Sequence, residues 1–100
     1  MPGHWTFLTN HMRVLLVITR DPTTRLRDIA TALDITERAA QRIVTELVEE
    51  GYLTRKRQGR RNTYKVHPKR GLRAAQAQKT QVGEILEVLL ANQDPLDRFG

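Results

Sequence analysis

Apolar side chains set the outline of this chain. In NHMRVLLVITR, Met12, Leu15, Leu16 and Ile18 recur at helical spacing. Thr9 or Asn10 supplies the cap, and Asp21-Pro22 ends the helix, since proline disfavours a helical residue before it and brings no amide hydrogen. A second pattern, TTRLRDIATAL, turns Leu26, Ile29, Ala30 and Leu33 inward and Arg25, Arg27, Asp28 and Thr31 outward over about two turns. The next helix starts at Thr36, whose hydroxyl caps free amides while Glu37 sits near the positive helix end, and Gly51 stops it. Along it Ala40, Val44 and Leu47 share one face, with Ile43 and Val48 at the margins.

After Gly51 the period drops to that of a strand. Tyr52, Leu53 and Thr54 lead into RKRQGRRN, and NTYKVH follows with Tyr64 and Val66 alternating against Thr63, Lys65 and His67. With Gly59 in the turn, Gln58 to Asn62 forms the tip of a β-hairpin. Beyond HPKRGLR, a last helical pattern is expected over 72–91, followed by a frayed tail over 92–100. Leu72, Ala75, Lys79, Val82, Leu86 and Leu89 approximate a heptad seam that Ile85, Val88 and Leu90 broaden. Two partners suit that surface: Trp5, Phe7 and the first helix of the same chain, or the same helix of a second subunit, with Leu72, Ala75, Val82, Ile85, Leu86 and Leu89 as dimerisation residues.

The predicted fold class is mainly α with one small β-hairpin (α+β). One hundred residues fit one small domain, and a separate sensor domain does not fit beside it.

Charge changes the picture because of where it lies. The net charge is +6, yet residues 1–54 are nearly neutral and residues 80–100 are acidic. Arg55, Lys56, Arg57, Arg60, Arg61, Lys65, Lys69, Arg70, Arg73 and Lys79 lie in a stretch without a single carboxylate. So local an excess points to a polyanion held against one part of the surface, although a charged loop also keeps a protein soluble. A thin ribbon carrying Arg55, Lys56 and Arg57 on one arm and Arg60, Arg61 and Asn62 at its end can enter a narrow groove or follow phosphates.

The third helix adds a second candidate surface. Opposite its apolar face stand Glu37, Arg38, Gln41, Thr45 and, at one edge, Arg42. Forked and bifunctional donors of this kind can read guanine and adenine edges in a major groove, and the same residues also suit an ordinary solvated helix face.

Helix, helix, turn, helix and basic hairpin, with Ile29-Ala30, Ile35-Thr36, Leu47 and Gly51-Tyr52-Leu53 at their spacing, resemble the winged helix-turn-helix domain of bacterial MarR-, ArsR- and IclR-type transcription regulators. The resemblance runs roughly from Val14 to His67; around it, residues 1–71 are expected to form the DNA-binding domain, and the apolar surface of 72–91 makes that helix the candidate for dimerisation. It implies a recognition helix from Thr36 to Glu50, with Thr36, Arg38, Gln41, Arg42 and Thr45 toward DNA. It further implies a supporting helix whose Arg25 and Arg27 meet the backbone, and a wing from Arg55 to Asn62. Asp34 stands where the family commonly has glycine, and Asp is among the few other residues that tolerate the left-handed conformation.

Other chemistry finds little footing. His4, His11 and His67 are too scattered for a metal site, cysteine is absent, and neither a phosphate loop nor a nucleophile constellation occurs, so no metal, cofactor or enzymatic activity is expected. No apolar run approaches a membrane span, and the lack of cysteine suits a reducing cytoplasm. The chain also leaves little room for an effector pocket. Three functions are compatible: a dimeric, sequence-specific regulator of double-stranded DNA, a non-specific architectural nucleic-acid binder, and a winged-helix protein-interaction adaptor.

Overall fold

The computed structural model describes residues 6–74 and 76–92. Helix α1 spans Asn10–Arg20, α2 Leu26–Leu33 and α3 Glu37–Glu49, then strands β1 Leu53–Gln58 and β2 Arg61–Val66 form an antiparallel hairpin, and α4 Val82–Ala91 follows. This is the expected α+β class.

The boundaries have local causes. Thr9 accepts the amide of Met12 at 3.2 Å and so caps α1. Asp21, before proline, is extended, and its carboxylate accepts from the amide and hydroxyl of Thr23 to shape the following turn. Thr36 caps α3 by accepting the Ala39 amide at 3.0 Å.

Helices α2 and α3 end alike. At Asp34 the backbone is left-handed, φ 58° and ψ 49°, with bonds from the Ile35 amide to the Ala30 carbonyl and from the Asp34 amide to that of Thr31. At Gly51, φ 85°, the Tyr52 amide reaches Leu47 and the Gly51 amide reaches Val48 in the same pattern. Asp34 thus does in the helix-turn-helix what Gly51 does before the hairpin.

One core joins all elements. Val14, Leu15 and Ile18 of α1 meet Ile29, Ala30 and Leu33 of α2 and Ala40, Ile43, Val44 and Leu47 of α3, with Tyr52, Leu53, Tyr64, Val82 and Leu86 completing it. Burying each large aliphatic side chain contributes about 1.5–3 kcal/mol.

The hairpin is fixed at its base and free at its end. Leu53 pairs with Val66 and Gln58 with Arg61, leaving only Gly59 and Arg60 in the turn, with φ 62° at Gly59 as a II′ turn requires. The strands therefore run further into the basic stretch than the expected tip of Gln58 to Asn62. Leu53 and Tyr64 are buried, and the Tyr64 amide donates to the Pro22 carbonyl at 3.0 Å, tying β2 to the α1–α2 turn. A two-stranded ribbon is marginal by itself, so these ties matter.

The helix expected over 72–91 begins only at Val82. Residues 72–81 hold Ala, Gln and Lys with good helix propensity but few apolar side chains to bury, and propensity alone rarely sustains a short helix. The chain takes other contacts instead. The Tyr52 hydroxyl donates to the Gly71 carbonyl at 2.6 Å, Leu72 and Thr80 are joined through backbone, and the Val82 amide reaches Arg70. Glu84 then starts α4 by accepting the Gln81 amide at 3.0 Å. Gly83 passes close enough to Pro68 that an added Cβ would lie 2.5 Å from the proline Cβ. The heptad seam is accordingly broken. Leu72 packs on the core from a loop, Val82 and Leu86 are buried in that core, Ile85 and Leu89 are half-buried, and Ala75 lies outside the described residues. The expectations for Trp5 and for the tail beyond Asn92 also fall outside them.

Candidate nucleic-acid interface

Helix α3 buries Ala40, Ile43, Val44 and Leu47, which fixes its rotation and turns Glu37, Arg38, Gln41 and Arg42 outward, with Thr45 half-buried at the edge. Arg38, Gln41 and Thr45 make no side-chain hydrogen bond or ion pair among the described residues. Thr36 differs, since its oxygen already accepts the Ala39 amide to cap the helix, which leaves its hydroxyl hydrogen and one lone pair for a further partner.

Arg42 has a neighbour that the sequence pattern did not single out. Its Nη1 lies 3.6 Å from Glu46 Oε2, and Glu46 Oε1 accepts from His11 Nε2 at 2.7 Å. The bond from His11 holds the Glu46 carboxyl below its ordinary range, with Arg42 adding a smaller pull in the same direction. The i, i+4 spacing of Arg42 and Glu46 was the available signal, whereas His11 comes near only through the packing of α1 on α3.

The hairpin register distributes the cations. Arg55 opposite Tyr64 and Arg57 opposite Asn62 belong to one face; Lys56 opposite Thr63, Lys65 opposite Thr54, and Arg61 opposite Gln58 belong to the other. Arg60 occupies the turn. Cations on both faces suit a ribbon surrounded by phosphates better than one lying flat on the protein. Two of them have internal duties: Arg57 Nε donates to the Gly59 carbonyl at 3.0 Å, and Arg61 Nη2 donates to the Thr23 carbonyl at 2.6 Å. Arg61 therefore braces the wing against the α1–α2 turn, while Arg55, Lys56 and Arg60 extend into solvent. Arg25, at the start of α2, and Arg27 within it are exposed.

Beside this surface lies a groove of about 880 Å³ between α1, the end of α3, the segment after Gly71 and α4. Leu8, Met12, Leu15, Leu47, Val82 and Ile85 line it, with His11, Glu46 and Arg73 among its polar residues. The expectation of little room for a pocket thus meets a half-open groove over the place where α4 packs on α1, not an enclosed cavity. Among the described residues no cluster of His, Cys, Asp or Glu could hold a metal ion, and no helix is long and apolar enough to cross a membrane.

A helix-turn-helix with an exposed polar third helix, followed by a basic two-stranded hairpin, defines a winged helix-turn-helix protein. The family model of the MarR family matches residues 6–61, more than half of the chain. The chain belongs to the MarR family, whose winged-helix members are DNA-binding transcription regulators and generally non-enzymatic. Comparison with curated proteins finds no match.

Proposed function

We propose that this chain is a cytoplasmic, sequence-specific regulator that binds double-stranded DNA as a homodimer, with α3 in the major groove and the hairpin along the backbone or minor groove. One observation carries the reading: the outward face of α3 presents Arg38 and Gln41, with Thr45 at its edge, and none of the three has a side-chain partner among the described residues, next in the chain to a ribbon cationic on both faces. Polar donors left unpaired on a rigid helix are ready to bond base edges without first breaking protein contacts. Thr36 and Arg42 complete the reading face. Arg55, Lys56, Arg57, Arg60, Arg61 and Asn62 supply the wing, and Arg25 and Arg27 meet phosphates beside it.

Residues up to 71 form the DNA-reading part in this proposal, and the dimer contact lies on α4. Its candidate surface is reduced to the part that the protomer leaves uncovered: Val88 is 58% exposed, and Ile85 and Leu89 are half-buried. Val82 and Leu86 pack inward and support that surface from below.

The test is base preference. Gln41→Ala should relax discrimination at one or two positions of a bound site, by about 1–3 kcal/mol for a good bidentate contact, while affinity for unrelated duplexes stays nearly constant. Equal weakening on every duplex would favour an architectural binder held by charge alone.

A further inference from the structure

Glu46 serves two elements at once. It stands one turn after Arg42 on α3, and its carboxylate oxygens meet different partners: Oε1 accepts from His11 of α1 at 2.7 Å, and Oε2 lies 3.6 Å from the Arg42 guanidinium. An ionised carboxylate has only acceptors, so His11 Nε2 carries the shared hydrogen. The lowered pKa of Glu46 agrees with a charged group held by that bond.

The arrangement matters because an exposed ion pair between two flexible side chains is weak: each must give up rotamer freedom to meet the other. Here the carboxylate is already anchored from a neighbouring helix, so only Arg42 has to be ordered. Arg42 remains 63% exposed at its side chain, which leaves most of the guanidinium fork open to a ligand. Arg38 and Gln41, on the same face, have no such anchor among the described residues.

We propose that Glu46, oriented by His11, is a positioning residue that aims the Arg42 guanidinium at a base edge. This rests on α3 being the recognition helix. A carboxylate near DNA also repels phosphates, and that effect acts on all duplexes alike without needing Arg42, so the two roles separate experimentally.

The experiment is a double-mutant cycle on the full-length chain with Arg42→Ala and Glu46→Gln. Binding is measured to the duplex most enriched by the wild-type protein and to derivatives with each half-site base pair replaced in turn. Arg42→Ala should abolish discrimination at one position. Glu46→Gln should reduce it at that position by about two- to threefold, the scale of an i, i+4 pair, and should change nothing further in the Arg42→Ala background. His11→Ala should give a similar loss although the Glu46 charge remains, with thermal melting confirming that the variant is folded. If Glu46→Gln instead tightens binding to every duplex equally, or acts undiminished without Arg42, the positioning role is overturned while the reading of α3 stands. If Arg42→Ala leaves discrimination intact at every position, Arg42 reads no base and the inference falls; should Gln41→Ala also leave it intact, the reading of α3 falls with it.

Discussion

Replacing Asp34 by glycine should make this protein more stable. Asp34 is the only described non-glycine residue with positive φ, and it occupies the position after α2 that closes the helix with two backbone bonds. An L-residue there carries about 1 kcal/mol of strain, at the low end of the usual range because aspartate tolerates the conformation. Its charge at the negative end of α2 adds about 0.3 kcal/mol at an exposed site. Glycine removes both but gives the unfolded chain more freedom, at about 0.7 kcal/mol. The net gain is about 0.6 kcal/mol, or roughly 2–5 °C in Tm for a domain of this size. Valine at the same position cannot relax, and Asp34→Val should lower Tm by roughly 4–8 °C for a loss of about 1 kcal/mol. Thermal unfolding followed by far-ultraviolet circular dichroism measures both variants in one buffer. Valine equal to aspartate, or glycine below it, would refute the idea that left-handed backbone geometry selects residue 34.

In the wing, Arg60→Ala should leave Tm unchanged and lower the salt dependence of DNA binding by roughly one unit for each phosphate that Arg60 neutralises, whereas Arg61→Ala should also cost about 0.5–1 kcal/mol of stability through its bond to Thr23. Urea unfolding and binding titrations at several salt concentrations separate the two. Glu46 makes stability sensitive to acid: its folded pKa lies below the ordinary 4.5, so its contribution is complete above that value and is lost as pH falls through the folded value. Urea midpoints between pH 6 and pH 3 should fall less steeply in Glu46→Gln than in the wild type. Val88→Glu should shift sedimentation equilibrium from dimer to monomer with an unchanged circular dichroism spectrum; an unaltered mass would place the pairing surface elsewhere.

The helices that read most clearly from sequence are those whose periodic apolar residues bury against each other. Ile29, Ala30 and Leu33, then Ala40, Ile43, Val44 and Leu47, announce both rotation and partner, and Thr9, Thr36 and Gly51 mark boundaries through local hydrogen bonds. Asp34 was legible for the same reason, because a tight turn restricts backbone conformation whatever lies around it. The segment after the wing was not. Leu72, Val82 and Leu86 are spaced as in a helix, yet they are brought together by a loop that Tyr52 and Gly71 hold, a contact between residues far apart in the chain. The contribution of Gln81 and Glu84 as a helix start was available but hidden inside a stretch of uniformly high propensity.

At the candidate interface the outward face of α3 followed from its inward one. What could not be read was engagement across elements: Arg61 with Thr23, and His11 with Glu46. A cation in a basic run carries no mark of whether it faces solvent or a carbonyl 38 residues away.

The most direct measurement is selection from a random duplex library by the full-length protein at near-physiological salt, with sequencing of the bound fraction. An enriched inverted repeat with half-sites about one helical turn apart is the expected result, since two copies of α3 related by a two-fold axis would enter successive major grooves. Salt-sensitive retention of DNA with no enriched motif would contradict sequence-specific reading by α3 and leave the hairpin cations as the whole of the binding.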